Sequence, residues 1–215
     1  MSENSPTREI EAVILDYGEV LCHRPTPDEV GQLATVFGLT VESFSDRWDR
    51  SRPSYDRGVI TPEAYWLQFA SESNASIKPE QIEHIRHQEV AMWSNLNPVM
   101  VRWSRQLNDA GIKTALLSNM HADLVKHVRT FEWLQRFTVR TFSAEVQLVK
   151  PDAAIYQHTL RQLETAPEKT VFVDDREANI QAARALGIRA IQFRSIEQLQ
   201  NDLDGLDLPV PGTEN

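Results

Sequence analysis

The sequence predicts an α/β protein with a doubly wound parallel sheet and an inserted all-helical segment, on three observations. The run Ala12-Val-Ile-Leu15 is continuously apolar and partly β-branched, as a strand buried on both faces must be, and it stops at one carboxylate, Asp16. From about residue 98 onward, short apolar runs alternate with helical patterns of roughly ten residues, the texture of βαβ units. Between them, residues 22–97 carry helical patterns and no good strand candidate. The organisation expected is a core formed by 1–21 together with 98–215, and a helical cap formed by 22–97.

Each element has its own warrant. Val30, Leu33, Ala34 and Phe37 recur at helical spacing, and Gly38 supplies a stop. Thr40 is a candidate N-cap for a second helix carrying Phe44 and Trp48 at i,i+4. Thr61-Pro62-Glu63 opens a third, with Tyr65 and Phe69, and Lys78-Pro79-Glu80 opens a fourth that runs to about Trp93. The aromatics Trp48, Tyr55, Tyr65, Trp66 and Phe69 are expected to pack these helices together. Next come a helix from about Pro98 to Asn108 ending at Gly111, a strand over Lys113–Leu117 closing on Ser118-Asn119, and a helix from about Ala122. A strand over Thr138–Phe142 follows, then a helix from Asp152 with Tyr156, Leu160 and Leu163 on one face. A strand over Thr170–Val173, a helix ending at Gly187 and a strand over Arg189–Phe193 complete the alternation. The first strand joins this sheet, since a lone buried strand has nowhere else to pair, giving a Rossmann-like core. The helical segment then leaves and returns at the carboxyl edge of the sheet, where a lid would sit. The tail from Asp202 to Gly212 is expected to be irregular and loosely held.

Bulk properties narrow the partners. With 22 Lys plus Arg against 31 Asp plus Glu, the formal charge of -9 and the absence of a basic block argue against nucleic acid. No stretch approaches the ~18 apolar residues of a membrane span. The lone Cys22 excludes an intramolecular disulfide, and Met1-Ser-Glu-Asn-Ser-Pro-Thr-Arg8 lacks the apolar segment of a signal peptide, so a cytoplasmic location is expected, as monomer or homodimer.

The strand ends carry the chemistry. Strand one delivers Asp16, the strand at 113–117 delivers Ser118 and Asn119, Lys150-Pro151 precedes the helix at 152, and the strand at 170–173 delivers Asp174 and Asp175. Carboxylates without His or Cys make a hard oxygen site that suits Mg²⁺ better than zinc or copper. A lysine beside them neutralises an incoming anion, and a serine hydroxyl with neighbouring amides donates to phosphoryl oxygens. Together these groups describe phosphoryl transfer from a small phosphorylated metabolite through an aspartyl-phosphate.

These motifs, in this order, resemble the haloacid dehalogenase superfamily in its helical-cap branch: Asp16-Tyr-Gly-Glu-Val, Leu117-Ser118-Asn119, Lys150-Pro151-Asp152, and Phe172-Val-Asp174-Asp175-Arg-Glu-Ala-Asn179. The resemblance spans about Ala12 to Phe193. It implies Asp16 as nucleophile, with Ser118, Asn119 and Lys150 on the phosphate. It implies Asp175 as direct Mg²⁺ ligand, Asp174 as ligand or support, and the Gly18 carbonyl as a further contact.

The chain departs from the family at Gly18, where most such phosphatases carry a second aspartate as general acid and base. Glu19 is a weak substitute, one residue on. Without that group, esters with a comparatively acidic leaving oxygen suffer least, because a general acid contributes about 10²–10⁴-fold. The expected bias is toward sugar 1-phosphates, and the first motif is similar to a bacterial branch that includes a glucose-1-phosphate phosphatase. Gly18 also motivates the alternative of a catalytically weak or inactive phosphate-binding regulator. A metal-free 2-haloacid dehalogenase fits less well, because its fourth motif lacks the acidic pair, and a response-regulator receiver has the motif order reversed. In or beside the cap, Arg24, Arg47, Tyr55 and Arg57 are candidate specificity residues, and His23 and His121 are candidate proton donors.

Overall fold

The computed structural model describes residues 9–212; the first eight residues lie outside that range. Five parallel strands form one sheet: β1 (Ala12–Leu15), β2 (Lys113–Ser118), β3 (Val139–Phe142), β4 (Thr170–Asp174) and β5 (Arg189–Gln192). Their order is β3-β2-β1-β4-β5, so β1 is central and lies between β2 and β4, with Leu15 opposite Leu116 and Val173. All four β1 residues are fully buried, which explains a continuous apolar run where a half-exposed strand would alternate.

The alternation is instead between two cores. Val13 and Leu15 face the cluster filled by α5 (Pro98–Asp109), α6 (Ala122–Val128) and α10 (Ile196–Asp202). Ala12 and Ile14 face α8 (Ala153–Leu163) and α9 (Glu177–Ala185). Helices on both faces make the sheet doubly wound, and its order reverses on either side of β1, the position at which such sheets bind ligands.

Between β1 and α5 the chain makes four helices with a core of their own: α1 (Pro27–Val36), α2 (Val41–Asp56), α3 (Pro62–Glu72) and α4 (Pro79–Met92). Thr26, Thr40 and Thr61 cap the first three with side-chain hydrogen bonds to the first turn. The five aromatics singled out in the sequence are all buried there, with Tyr55 and Tyr65 stacked at 3.9 Å between centroids. The two connections to the sheet run side by side: Cys22 pairs antiparallel with Leu96, His23 N–H donates to Asn95 O at 2.7 Å, and Asn97 N–H donates to Leu21 O at 2.9 Å.

Three features differ from expectation. Residues Tyr17–Leu21 close a wide turn, with Cys22 N–H on Tyr17 O at 2.9 Å and Glu19 at φ 57°. The four-residue helix α7 (Ser143–Val146) and α10 are too short for periodicity to announce. The tail beyond α10 is irregular as expected but not loose: Leu203, Leu206 and Leu208 are buried, and Trp103 Nε1 donates to Pro209 O at 2.7 Å. Apolar side chains two and three apart, hidden between aspartates, anchor it to α5. No helix among the described residues is long and apolar enough to cross a membrane.

Candidate active site

Asp16 and Asp174 end adjacent central strands, and Lys150 fills the gap between their carboxylates. Its Nζ lies 2.8 Å from Asp16 Oδ1 and 2.6 Å from Asp174 Oδ2. Burial works against the ammonium, but the two carboxylates outweigh it, and the Lys150 pKa stands above the usual lysine range. Burial pushes the Asp16 carboxyl up to about 7; Lys150 opposes this, while Asp174 and Asp175 reinforce it. Asp175 is pushed up to about 6, first by burial and then by Asp174.

Asp16 presents one oxygen to the protein and one to the cavity. Oδ1 accepts from Tyr17 N–H at 2.7 Å as well as from Lys150, whereas Oδ2 takes no hydrogen bond from the described residues. The Ser118 hydroxyl lines the same cavity and is likewise without a partner among the described residues. Asn119 is used differently from a phosphate-binding side chain. Its Nδ2 donates to Lys150 O and its Oδ1 accepts from Lys150 N–H, both at 2.8 Å. That two-point clamp fixes the lysine backbone and leaves the Asn119 main-chain N–H for a ligand.

Oxygen atoms of Asp16, Asp174 and Asp175 lie within 4.8 Å of one another, with no His or Cys in the group. This donor set fits a hard divalent cation such as Mg²⁺. Asp174 is the most committed of the three. Its Oδ1 accepts from Arg176 N–H and Asn179 Nδ2 at 2.8 and 2.9 Å, and its Oδ2 from Lys150 and Asn179. The Asp175 carboxylate takes no hydrogen bond from the described residues and lines the cavity.

A cavity of about 220 Å³ lies above these groups, with the helical layer as its far wall. Trp48, Asp49, Arg52 and Asp56 line it from α2, and Trp93 lies across from Gly18. Arg52 Nε and Nη2 donate to the two oxygens of Asp56 at 3.1 and 2.7 Å, and Nη1 donates to Glu89 Oε1 at 2.7 Å.

The candidate specificity residues fall elsewhere. Arg24 pairs with Glu19 at 3.6 Å, Arg47 donates to Glu72 O, and Arg57 pairs with Asp152 at 3.1 Å. Tyr55 and His121 are buried against each other, and burial holds the His121 pKa well below the usual imidazole range. His23 is exposed and does not line the cavity, while Glu19 does. Sequence reasoning missed Arg52 and Asp56, although Trp48, Arg52 and Asp56 sit at i, i+4 and i+8, one face of a helix.

Comparison with known proteins identifies the frame. A family model described as a haloacid dehalogenase-like hydrolase matches residues 10–187. The chain belongs to that family. A sesquiterpene phosphatase of Aspergillus oryzae is 28% identical over 186 residues, covering 83% of this chain and 87% of that protein. A drimenol cyclase of Aspergillus calidoustus is 23% identical over 199 residues; the match covers 92% of this chain but 36% of the cyclase, about a third of its length. Among solved structures, a HAD family enzyme of Bacteroides thetaiotaomicron, in complex with magnesium and inorganic phosphate, superposes with a TM-score of 0.71 at 20% identity. That match covers 86% of this chain and 94% of that one and shows a shared fold.

Proposed function

We propose that this haloacid dehalogenase-like hydrolase is a Mg²⁺-dependent phosphatase of small phosphorylated metabolites, working through an aspartyl-phosphate on Asp16. The observation that carries the reading is the asymmetry of Asp16: Oδ1 is held by Lys150 and Tyr17 N–H, and Oδ2 is left toward the cavity. A carboxylate so held is oriented for in-line attack on phosphorus. Lys150, the Ser118 hydroxyl and the Asn119 main-chain N–H offer the positive charge and donors that stabilise equatorial phosphoryl oxygens. Asp16, Asp175 and the Gly18 carbonyl would hold the cation, with Asp174 keeping Lys150 in line; the ion supplies charge neutralisation between nucleophile and phosphate. The α1–α4 layer, tethered by the paired connections 21–23 and 95–97, serves as the cap, and the chain acts in the cytoplasm.

Gly18 sets the substrate bias. It offers no proton to the leaving oxygen, and Glu19, turned by its positive φ, pairs with Arg24. Leaving groups that depart without help are favoured, and sugar 1-phosphates are the physiological class proposed. The test is phosphate release from p-nitrophenyl phosphate with and without Mg²⁺, with Asp16→Asn as control, followed by anomeric against alkyl phosphates. Metal-dependent release lost in Asp16→Asn is expected. No release from the parent protein, with phosphate still bound, would favour a phosphate-binding regulator instead.

A further inference from the structure

The α2 wall of the cavity has an unusual charge balance for a phosphate enzyme. Arg52, its one cation, uses three of its five N–H donors on Asp56 and Glu89, and its guanidinium lies 5.2 Å from the Trp48 ring centroid. Two carboxylates on the same helix, Asp49 and Asp56, face the cavity beside it. Asp49 is exposed and takes no hydrogen bond from the described residues. The buried indole N–H groups of Trp48 and Trp93, both cavity-lining residues, also have no partner among the described residues. Around the whole cavity five carboxylates stand against three cations, and Lys150 is already held by Asp16 and Asp174.

Such a wall offers hydroxyl acceptors on Asp49 and Asp56 and two unused guanidinium N–H groups, but no unneutralised positive charge. A second phosphate against this wall would meet net negative charge, because the cavity's remaining cation, Arg176, stands on the sheet side at the start of α9 and not on α2. Resting on the phosphatase reading above, we infer that Asp49, Arg52 and Asp56 are specificity-determining residues that select an uncharged, hydroxyl-bearing leaving group and reject substrates carrying a second phosphate. Glu89 is the positioning residue for Arg52.

The experiment compares kcat/KM for a hexose 1-phosphate, the corresponding 1,6-bisphosphate and p-nitrophenyl phosphate, all with Mg²⁺. The monophosphate should exceed the bisphosphate by at least about tenfold, the scale at which a mismatched polar site discriminates. Asp49→Asn removes one repelling charge at an exposed position and should narrow that ratio severalfold. Arg52→Lys keeps the charge but loses the planar fork, and should raise KM for the hexose 1-phosphate more than it lowers kcat. A parent protein that turns over the bisphosphate as well as the monophosphate, or a ratio unmoved by Asp49→Asn, overturns the inference. Failure to hydrolyse p-nitrophenyl phosphate would instead overturn the phosphatase reading. Calorimetric binding of the two hexose phosphates then decides selectivity: a tighter monophosphate supports it and a tighter bisphosphate overturns it.

Discussion

The hydroxyl of Tyr55, on α2, lies 2.9 Å from Nδ1 of His121, in the loop after β2, and the two rings stack with centroids 4.5 Å apart. The same hydroxyl is 2.8 Å from Glu89 Oε2, which is 3.4 Å from His121 Nε2. A neutral tyrosine and a neutral imidazole supply the two hydrogen bonds at the Tyr55 hydroxyl, while His121 Nε2 has no hydrogen-bond partner among the described residues and faces the Glu89 carboxyl. Burial pushes the Glu89 carboxyl up to about 7, against the pull of Arg52 and the Tyr55 hydrogen bond. Above that pH the carboxylate accepts the hydrogen bond of the Tyr55 hydroxyl, His121 donates to Tyr55 from Nδ1, and Nε2 faces the negative charge with no hydrogen.

A pH-dependent stability follows. Because the folded pKa of Glu89 exceeds its ordinary value of 4.5, the folded state binds the extra proton between about 4.5 and about 7, and stability falls as pH rises through that window. Relative to Glu89→Gln, which cannot ionise, the parent should lose on the order of 3 kcal/mol across it. His121, with its lowered pKa, acts in the opposite sense, favouring the fold less as pH drops below its ordinary 6.5, but it is common to both proteins. Urea unfolding of both at about pH 5 and about pH 8 measures the difference. Parallel pH profiles would show that Glu89 stays ionised throughout.

Much of this architecture was legible from residue pattern. The apolar run at β1, the helix caps at Thr40 and Thr61, and the βαβ alternation each translate directly into an element, because burial and capping act locally along the chain. The strand ends Asp16, Ser118 and Asp174 came together because parallel strands carry their carboxyl ends to one edge, and Lys150 reaches that edge from the turn between α7 and α8. The role of Asn119 was not legible: a strand-end amide reads as a ligand donor, and only its approach to the Lys150 backbone shows it to be a clamp. Arg52 was passed over for the same reason. Its importance depends on Glu89, 37 residues away on another helix, and no local spacing reports that contact.

Lys150 neutralises two buried carboxylates at once. Lys150→Met would leave Asp16 and Asp174 facing each other without a cation, and removal of one partner from a buried ion cluster costs about 3–5 kcal/mol. Denaturant unfolding at neutral pH should show a loss of that size, together with loss of phosphate release. Unchanged stability would mean that water reaches both carboxylates.

Gly58 joins the helical layer to the sheet. It sits at φ 73°, and a Cβ there would lie 2.6 Å from Ala144 O, in α7. Gly58→Ala therefore combines left-handed backbone strain of about 1 kcal/mol with a clash against main chain that has no rotamer escape. A fall in thermal unfolding temperature is expected, accompanied by faster backbone amide exchange at Asp56–Gly58 and Ser143–Val146. If exchange there stays as slow as in the parent, the two segments are not mutually supporting.

Gly18 is the reverse case, a glycine that its surroundings do not require. Its φ of -62° suits any residue, and a Cβ would meet Trp93 Cζ3 at 3.6 Å, ordinary contact. Gly18→Asp should therefore fold, and it would place a carboxyl two residues beyond the nucleophile, where a proton can be handed to the leaving oxygen. Esters with poor leaving groups gain most from such a donor, so kcat/KM for an alkyl phosphate should rise by about tenfold or more while p-nitrophenyl phosphate changes little. Equal response of the two substrates would show that leaving-group protonation does not limit the reaction.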